Sequence, residues 1–176
     1  EKVRSLLSSG VDVNCKDEEG GTSLHWAAYK GQKETVELLL QKGASIDEKE
    51  NSGYTPLLWA AYQGQKETVE LLLQKGASID EKDNKGDTPL LWAAYQGQKE
   101  TVELLLQKGA SIDEKDNRGY TPLLWAAYKG YKEVVELLLQ KGASIDEKEN
   151  DGWTSLHCAA IGGHKEVVEL LLQKGA

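Results

Sequence analysis

An all-α solenoid of stacked helix-turn-helix units is the fold class this sequence predicts, and three observations carry the prediction. A unit of 33 residues recurs along nearly the whole chain: residues 51–83 and 84–116 differ only at Ser52/Lys85 and Tyr54/Asp87. Similarity at such a period marks arrays in which each unit packs on its neighbours instead of around one central core. Every unit also contains two short helical patterns punctuated by glycine. The second pattern carries an apolar arc too wide for a lone helix pair to cover, so like pairs must stack on both sides.

The chain divides into one continuous array over residues 1–176. It opens on a half unit (1–16), with VRSLLSSGVDVNCKD starting at Val3, runs through full units over 17–49, 50–82, 83–115 and 116–148, and ends in a truncated unit over 149–176. In the copy at 50–82, Thr55 is the predicted N-cap and Pro56 suits the first helical position, where an N–H is not needed. Helix A then runs to about Gln63. At 100° per residue, Leu57, Ala60, Ala61 and Gly64 share a nearly bare face that admits close neighbours, and Thr55, Leu58, Trp59 and Tyr62 form a bulky aromatic one. Gly64 ends helix A in a left-handed cap, Gln65 opens helix B, and Gly76 ends helix B near Lys75. In helix B, Thr68, Val69, Leu71, Leu72 and Leu73 spread over about 200°, leaving Lys66, Glu67, Glu70 and Gln74 as a narrow polar strip. The stretch from Ala77 into the next unit holds turn formers such as Asn84, Gly86 and Asp87 and is predicted to be a hairpin-like finger.

Thr55, Pro56, Leu57 and the Ala60, Ala61 pair resemble the TPLHxA signature of ankyrin repeats, which share this period. The resemblance covers the whole chain and implies an ankyrin-type α-solenoid. Two departures bear on the fingers. The histidine of the signature survives as His25 and His157 but is replaced by Leu58, Leu91 and Leu124, so the loop-to-helix bonds expected of it cannot form there. The family's asparagine at the end of the GADVN stretch remains as Asn14, with Asp47, Asp80, Asp113 and Asp146 elsewhere; a carboxylate cannot donate, so amide-donor bonds are lost. Fingers less firmly cross-tied are therefore expected.

Composition excludes several classes of function. The formal charge is −8 with two arginines, Arg4 and Arg118, so the electrostatic footprint of a nucleic-acid binder is missing. No apolar run approaches the roughly 18 residues needed to span a bilayer, and no membrane association is expected. Cys15 and Cys158 lie four units apart; with stacked helices advancing about 8 to 10 Å per layer they cannot meet the Cα separation of about 4.4 to 6.8 Å of a disulfide. Two free thiols fit a reducing, cytoplasmic setting. Methionine is absent, the first unit starts in mid-repeat, and the last keeps EVVELLLQKGA where terminal units usually turn polar. These features predict one segment of a larger protein, or an engineered sequence.

No cofactor or catalytic site emerges. The acidic finger around Asp80, Glu81, Asp83 and Asp87 fails as a calcium loop, because Lys82 and Lys85 interrupt the ligand positions and Leu91 stands where a bidentate Glu is required. A solvated turn is expected instead. The same carboxylates recur in every unit in equal surroundings, whereas acid–base pairs need contrasting ones. His25 and His157 occupy one repeated slot, His164 starts a helix B, and no Cys-x-x-Cys accompanies Cys158, so capping or packing is expected of all three histidines. The array is read as noncatalytic.

The resemblance implies a protein partner held in the concave groove formed by the fingers and the helix A surface. The matching finger positions are Glu19, Ser52, Lys85, Arg118 and Asp151 ahead of the turn glycine's partner, and Gly21, Tyr54, Asp87, Tyr120 and Trp153 just before the threonine. At the end of helix A stand Tyr29, Tyr62, Tyr95 and Tyr128, a ladder at one-unit spacing, with Ile161 in the last unit. Tyrosine gives wide contact at small entropic cost. Near-identical copies inherit every residue together, however, so recurrence of Tyr reflects duplication as readily as binding. The positions where copies differ carry more information, and both lie on the finger. Trp26, Trp59, Trp92 and Trp125 are expected between neighbouring helix pairs. The alternative to a binding module is an expanded or engineered structural array without a ligand, monomeric or weakly associating end to end.

Overall fold

The computed structural model describes residues 12–176; the half-unit helix expected near Val3 lies outside them. Ten helices follow in five pairs: α1 (Ser23–Tyr29) and α2 (Lys33–Gln41), α3 (Pro56–Tyr62) and α4 (Lys66–Gln74), α5 (Pro89–Tyr95) and α6 (Lys99–Gln107), α7 (Pro122–Lys129) and α8 (Lys132–Gln140), α9 (Ser155–Ile161) and α10 (Lys165–Gln173). Among the described residues there is no strand. The first helices of successive pairs pack on one another, as do the second helices, giving two layers of stacked helices.

Local chemistry sets each boundary. Thr55, Thr88 and Thr121 are extended N-caps whose hydroxyls accept the N–H of Leu58, Leu91 and Leu124, and a proline follows each. Helix α4 closes in a Schellman arrangement: Gly76, with φ of 94°, donates to Leu73 O and Ala77 donates to Leu72 O.

The packing follows the faces drawn from the sequence. Leu57, Ala60 and Ala61 are inaccessible, and so are Val69 and Leu72 of α4. Leu58, grouped with the bulky face, is also fully buried. The small alanines let the first helices approach, and the leucines of the second helices fill the space between pairs. Fully burying a side chain of this size contributes about 1.5–3 kcal/mol. Because each unit repeats the set, stability accumulates along the array.

The fingers are more firmly tied than the substitutions at the His and Asn positions suggest. Asp83 N donates to Asp87 O and Gly86 N to Asp83 O, closing each tip as a turn and not as paired strands. Each tip is then bonded to the one before it: Asn84 N to Ser52 O, Asn117 N to Lys85 O, Asn150 N to Arg118 O. The Asn side chains repeat the step, with Asn84 Nδ2 on Asn51 O at 3.0 Å and Asn117 Nδ2 on Asn84 O at 3.2 Å. Lys49, Lys82 and Lys115 each reach one unit forward to a backbone carbonyl and a glutamate; Lys82 meets Lys115 O at 3.0 Å and Glu114 at 2.6 Å. The amide donor of Asn14, which bonds Gly43 O, is indeed lost in the aspartates. Asp47 and Asp80 instead accept the hydroxyls of Ser78 and Ser111 at 2.7 and 2.8 Å.

Candidate functional site

On the finger side of the first helices, tryptophans and tyrosines alternate in one continuous ladder. Tyr29 meets Trp59 edge-on at 5.3 Å, Trp59 meets Tyr62 at 5.9 Å, Tyr62 meets Trp92 at 5.2 Å, and the order continues through Tyr95 and Trp125 to Tyr128. Edge-to-face contacts place the positive ring edge on a negative face and are worth about 0.5–1.5 kcal/mol each beyond area burial. Trp59, Trp92 and Trp125 thus each meet a tyrosine of the preceding unit, between neighbouring helix pairs as expected, whereas Trp26 is exposed. A helical wheel gives the angle of Trp59 and Tyr62 on α3 but not which neighbour that side faces.

The ladder is partly open. Tyr29, Tyr62 and Tyr95 are half-buried and Tyr128 is exposed; Trp26 is exposed and Trp125 buried. Cations already lie on its rings, with Lys129 Nζ 4.2 Å from the Tyr95 centroid and the Arg118 guanidinium 4.6 Å from that of Trp125.

The finger positions frame this ladder. Tyr54 stacks on Trp59 with centroids 4.6 Å apart and Tyr120 on Trp125 at 4.4 Å. Burial, then the nearby Asp83 and Asp87, raises the Tyr54 phenol, and burial raises that of Tyr120. Both rings are thus built into the surface. Ser52, Lys85 and Arg118 sit exposed at the tips, and Trp153 stands exposed in the last described finger. Asp87 is buried.

The recurring acidic residue at the finger base is not the solvated group expected. Asp83, Asp116 and Glu149 are buried. One Asp83 oxygen accepts the N–H groups of Lys85 and Asp87 at 2.8 and 2.9 Å, and the other accepts the Trp92 indole N–H at 3.1 Å. Asp116 does the same with Trp125, and Asp17 with Trp26 at 2.7 Å. The indole bond, followed by the Gly21 N–H, holds the Asp17 carboxyl below its ordinary range. These carboxylates are spent as acceptors that fasten ladder to finger. The regular nine-residue interval between acid and tryptophan was the sequence signal for it.

The histidines serve structure. His25 Nδ1 accepts the Thr22 N–H and hydroxyl, so Nε2 carries the proton and donates to Glu48 O and Tyr54 O, both at 3.0 Å. Burial lowers its pKa. His164 Nε2 bonds Tyr128 O, the tie that Gln65 makes to Tyr29 O. Cys15 and Cys158 are both free, and burial pushes the Cys158 thiol up to about 11. Among the described residues no group of three His, Cys, Asp or Glu is arranged to hold a metal, and no helix is long and apolar enough to cross a membrane.

Stacked helix pairs with bonded fingers define a repeat solenoid. A family model described as ankyrin repeats (3 copies) matches residues 1–83, 53–116 and 90–176, and the chain belongs to the ankyrin-repeat family. Ankyrin repeats are generally protein–protein interaction modules and typically noncatalytic. Human acyl-CoA-binding domain-containing protein 6 is similar over 34 residues at 53% identity, which is 19% of this chain and 12% of that protein.

Proposed function

We propose that this array is a noncatalytic module that binds a protein partner in the groove between its fingers and first helices. The observation that supports it best is the Trp–Tyr ladder: a rigid, half-open aromatic strip carrying polar O–H and N–H groups is the composition enriched at binding hot spots. The differing residues Ser52, Lys85, Arg118, Tyr54, Asp87, Tyr120 and Trp153 border that strip, where they would choose between partners. Free thiols at Cys15 and Cys158 favour a reducing, cytoplasmic compartment.

Replacing Tyr62, Tyr95 and Tyr128 together with Ala tests this reading. Partner capture by the parent chain is expected to be lost while helical circular dichroism is retained; undiminished capture by the triple variant would remove the ladder from the function.

A further inference from the structure

At Asp87, as at Gly21, the finger position beside the ladder carries no aromatic ring. Tyr54 lies on Trp59 and also reaches Trp92 at 5.6 Å, and Tyr120 lies on Trp125. Between them the equivalent position is Asp87, and the shorter side chain leaves a cavity of about 250 Å³ bounded by Lys85, Asp87, Trp92, Tyr95, Arg118 and Trp125. Asp87 is 7% exposed, and its carboxylate takes no hydrogen bond from any described residue, although Asp83 and Asp116 beside it are fully engaged. Burial, then Asp83 and Asp116, pushes its carboxyl up to about 7. No fully buried side-chain oxygen among the described residues lacks a partner, so the unbonded Asp87 oxygens open onto this cavity, where a donor can reach them.

The mouth of the cavity is basic. Lys85 and Arg118, one unit apart, border with Asn84 and Asn117 an adjoining hollow of about 370 Å³. The equivalent positions elsewhere are Glu19, Ser52 and Asp151, so adjacent basic tips occur only at this junction in a chain of net charge −8.

We propose that this gap receives a tyrosine side chain from an acidic segment of a partner protein, its ring against Trp92, its O–H donating to Asp87, and its flanking carboxylates on Lys85 and Arg118. The inference rests on the groove reading above and names what the groove selects. The molecule supplies the template, since its own tyrosines occupy this position in the units on either side. It also couples aromatic donors to finger carboxylates at Trp26, Trp92 and Trp125. Phenylalanine would leave Asp87 unpaired, an arginine would meet Lys85 and Arg118, and a phosphorylated tyrosine would set a dianion against Asp87.

The test follows the indole N–H resonances of the intact chain during titration with the blocked pentapeptide Glu-Glu-Tyr-Glu-Glu. Saturable shifts at Trp92 and Trp125, weakened about fivefold or more by a Phe or phosphotyrosine centre or by Lys85→Ser with Arg118→Ser, are expected. Asp87→Tyr, which installs the neighbouring units' own residue, is expected to abolish the shifts with the fold intact by circular dichroism. Equal binding of the Phe peptide, undiminished binding by Asp87→Tyr, or no saturable shift at these two indoles would overturn the proposal. Partner capture that needs Tyr62, Tyr95 and Tyr128 yet survives Asp87→Tyr would also sink the subsite while leaving the groove reading standing. Peptide shifts that persist when the triple Ala variant still captures its partner would uphold the subsite and remove the ladder reading alone.

Discussion

Asp87 carries an electrostatic cost that its neighbours avoid. Its folded pKa of about 7 lies above the ordinary carboxylate value of 3.8, raised first by burial and then by Asp83 and Asp116. The protonated form is therefore favoured by folding: the associated stability is complete below about pH 4 and lost as pH rises through 7. At about 1.4 kcal/mol per unit, discounted by roughly half for solvent reaching the cavity, the loss is on the order of 2 kcal/mol. Asp87→Asn is expected to exceed the parent in stability by about that amount at pH 8 and to match it near pH 4, measured by urea unfolding across the range. A difference independent of pH would show that the carboxyl does not titrate as described. The indole bonds make a second prediction at this scale. Trp92→Phe keeps an aromatic ring of smaller size but strips one donor from buried Asp83, and is expected to cost about 1–3 kcal/mol in the same assay. The same change at Trp59, for which no indole bond is formed with Glu50 among the described residues, should cost less.

The finger is the element whose strength the sequence concealed. Its helices were legible because Thr-Pro starts, glycine stops and a 3.6-residue apolar rhythm are properties of single segments, and the observed ends differ from those expected by about a residue. The finger's bonds run from one copy to the same position in the next, and a column of identical Asn51, Asn84, Asn117 and Asn150 contains no information about which neighbour each side chain reaches. The same blindness hid the role of Asp83. The positions where copies disagree were visible, but the cavity beside Asp87 needed the geometry of Tyr54 and Tyr120 for comparison. The inter-finger bonds can be tested through Gly86, which has φ of 82° and whose missing Cβ would lie 2.5 Å from Asn117 Oδ1. Gly76 has a similar φ of 94° but open space around it. Alanine at either site carries the left-handed penalty of about 1–2 kcal/mol. Gly86→Ala must in addition displace the next finger, so it is expected to exceed Gly76→Ala by at least about 1 kcal/mol in urea unfolding. Equal losses would mean that the Asn117 bonds contribute nothing.

Among the described residues, each helix pair packs chiefly on the pairs beside it, so stability should behave as a row of coupled units and not as one core. Leu105 and Leu171 are both inaccessible and occupy the same slot of α6 and α10. Truncating either to Ala opens a cavity in its pair and costs about 2–5 kcal/mol locally. The consequences should differ with position. In Leu171→Ala the α9–α10 pair can open alone, because it gives up only one described junction, and amide protection in α3 to α6 should stay at the parent level. In Leu105→Ala the weakened pair has neighbours on both sides, so opening it gives up two junctions; protection should fall in α5 and α6 first and then in the pairs flanking them. Hydrogen exchange resolved by helix distinguishes these patterns. A uniform loss of protection in both variants would show that the array folds as a single cooperative block. In that case the groove and its Asp87 gap would be held as firmly as the rest, whereas a chain of coupled units lets the fingers around Lys85 and Arg118 adjust locally as a partner docks.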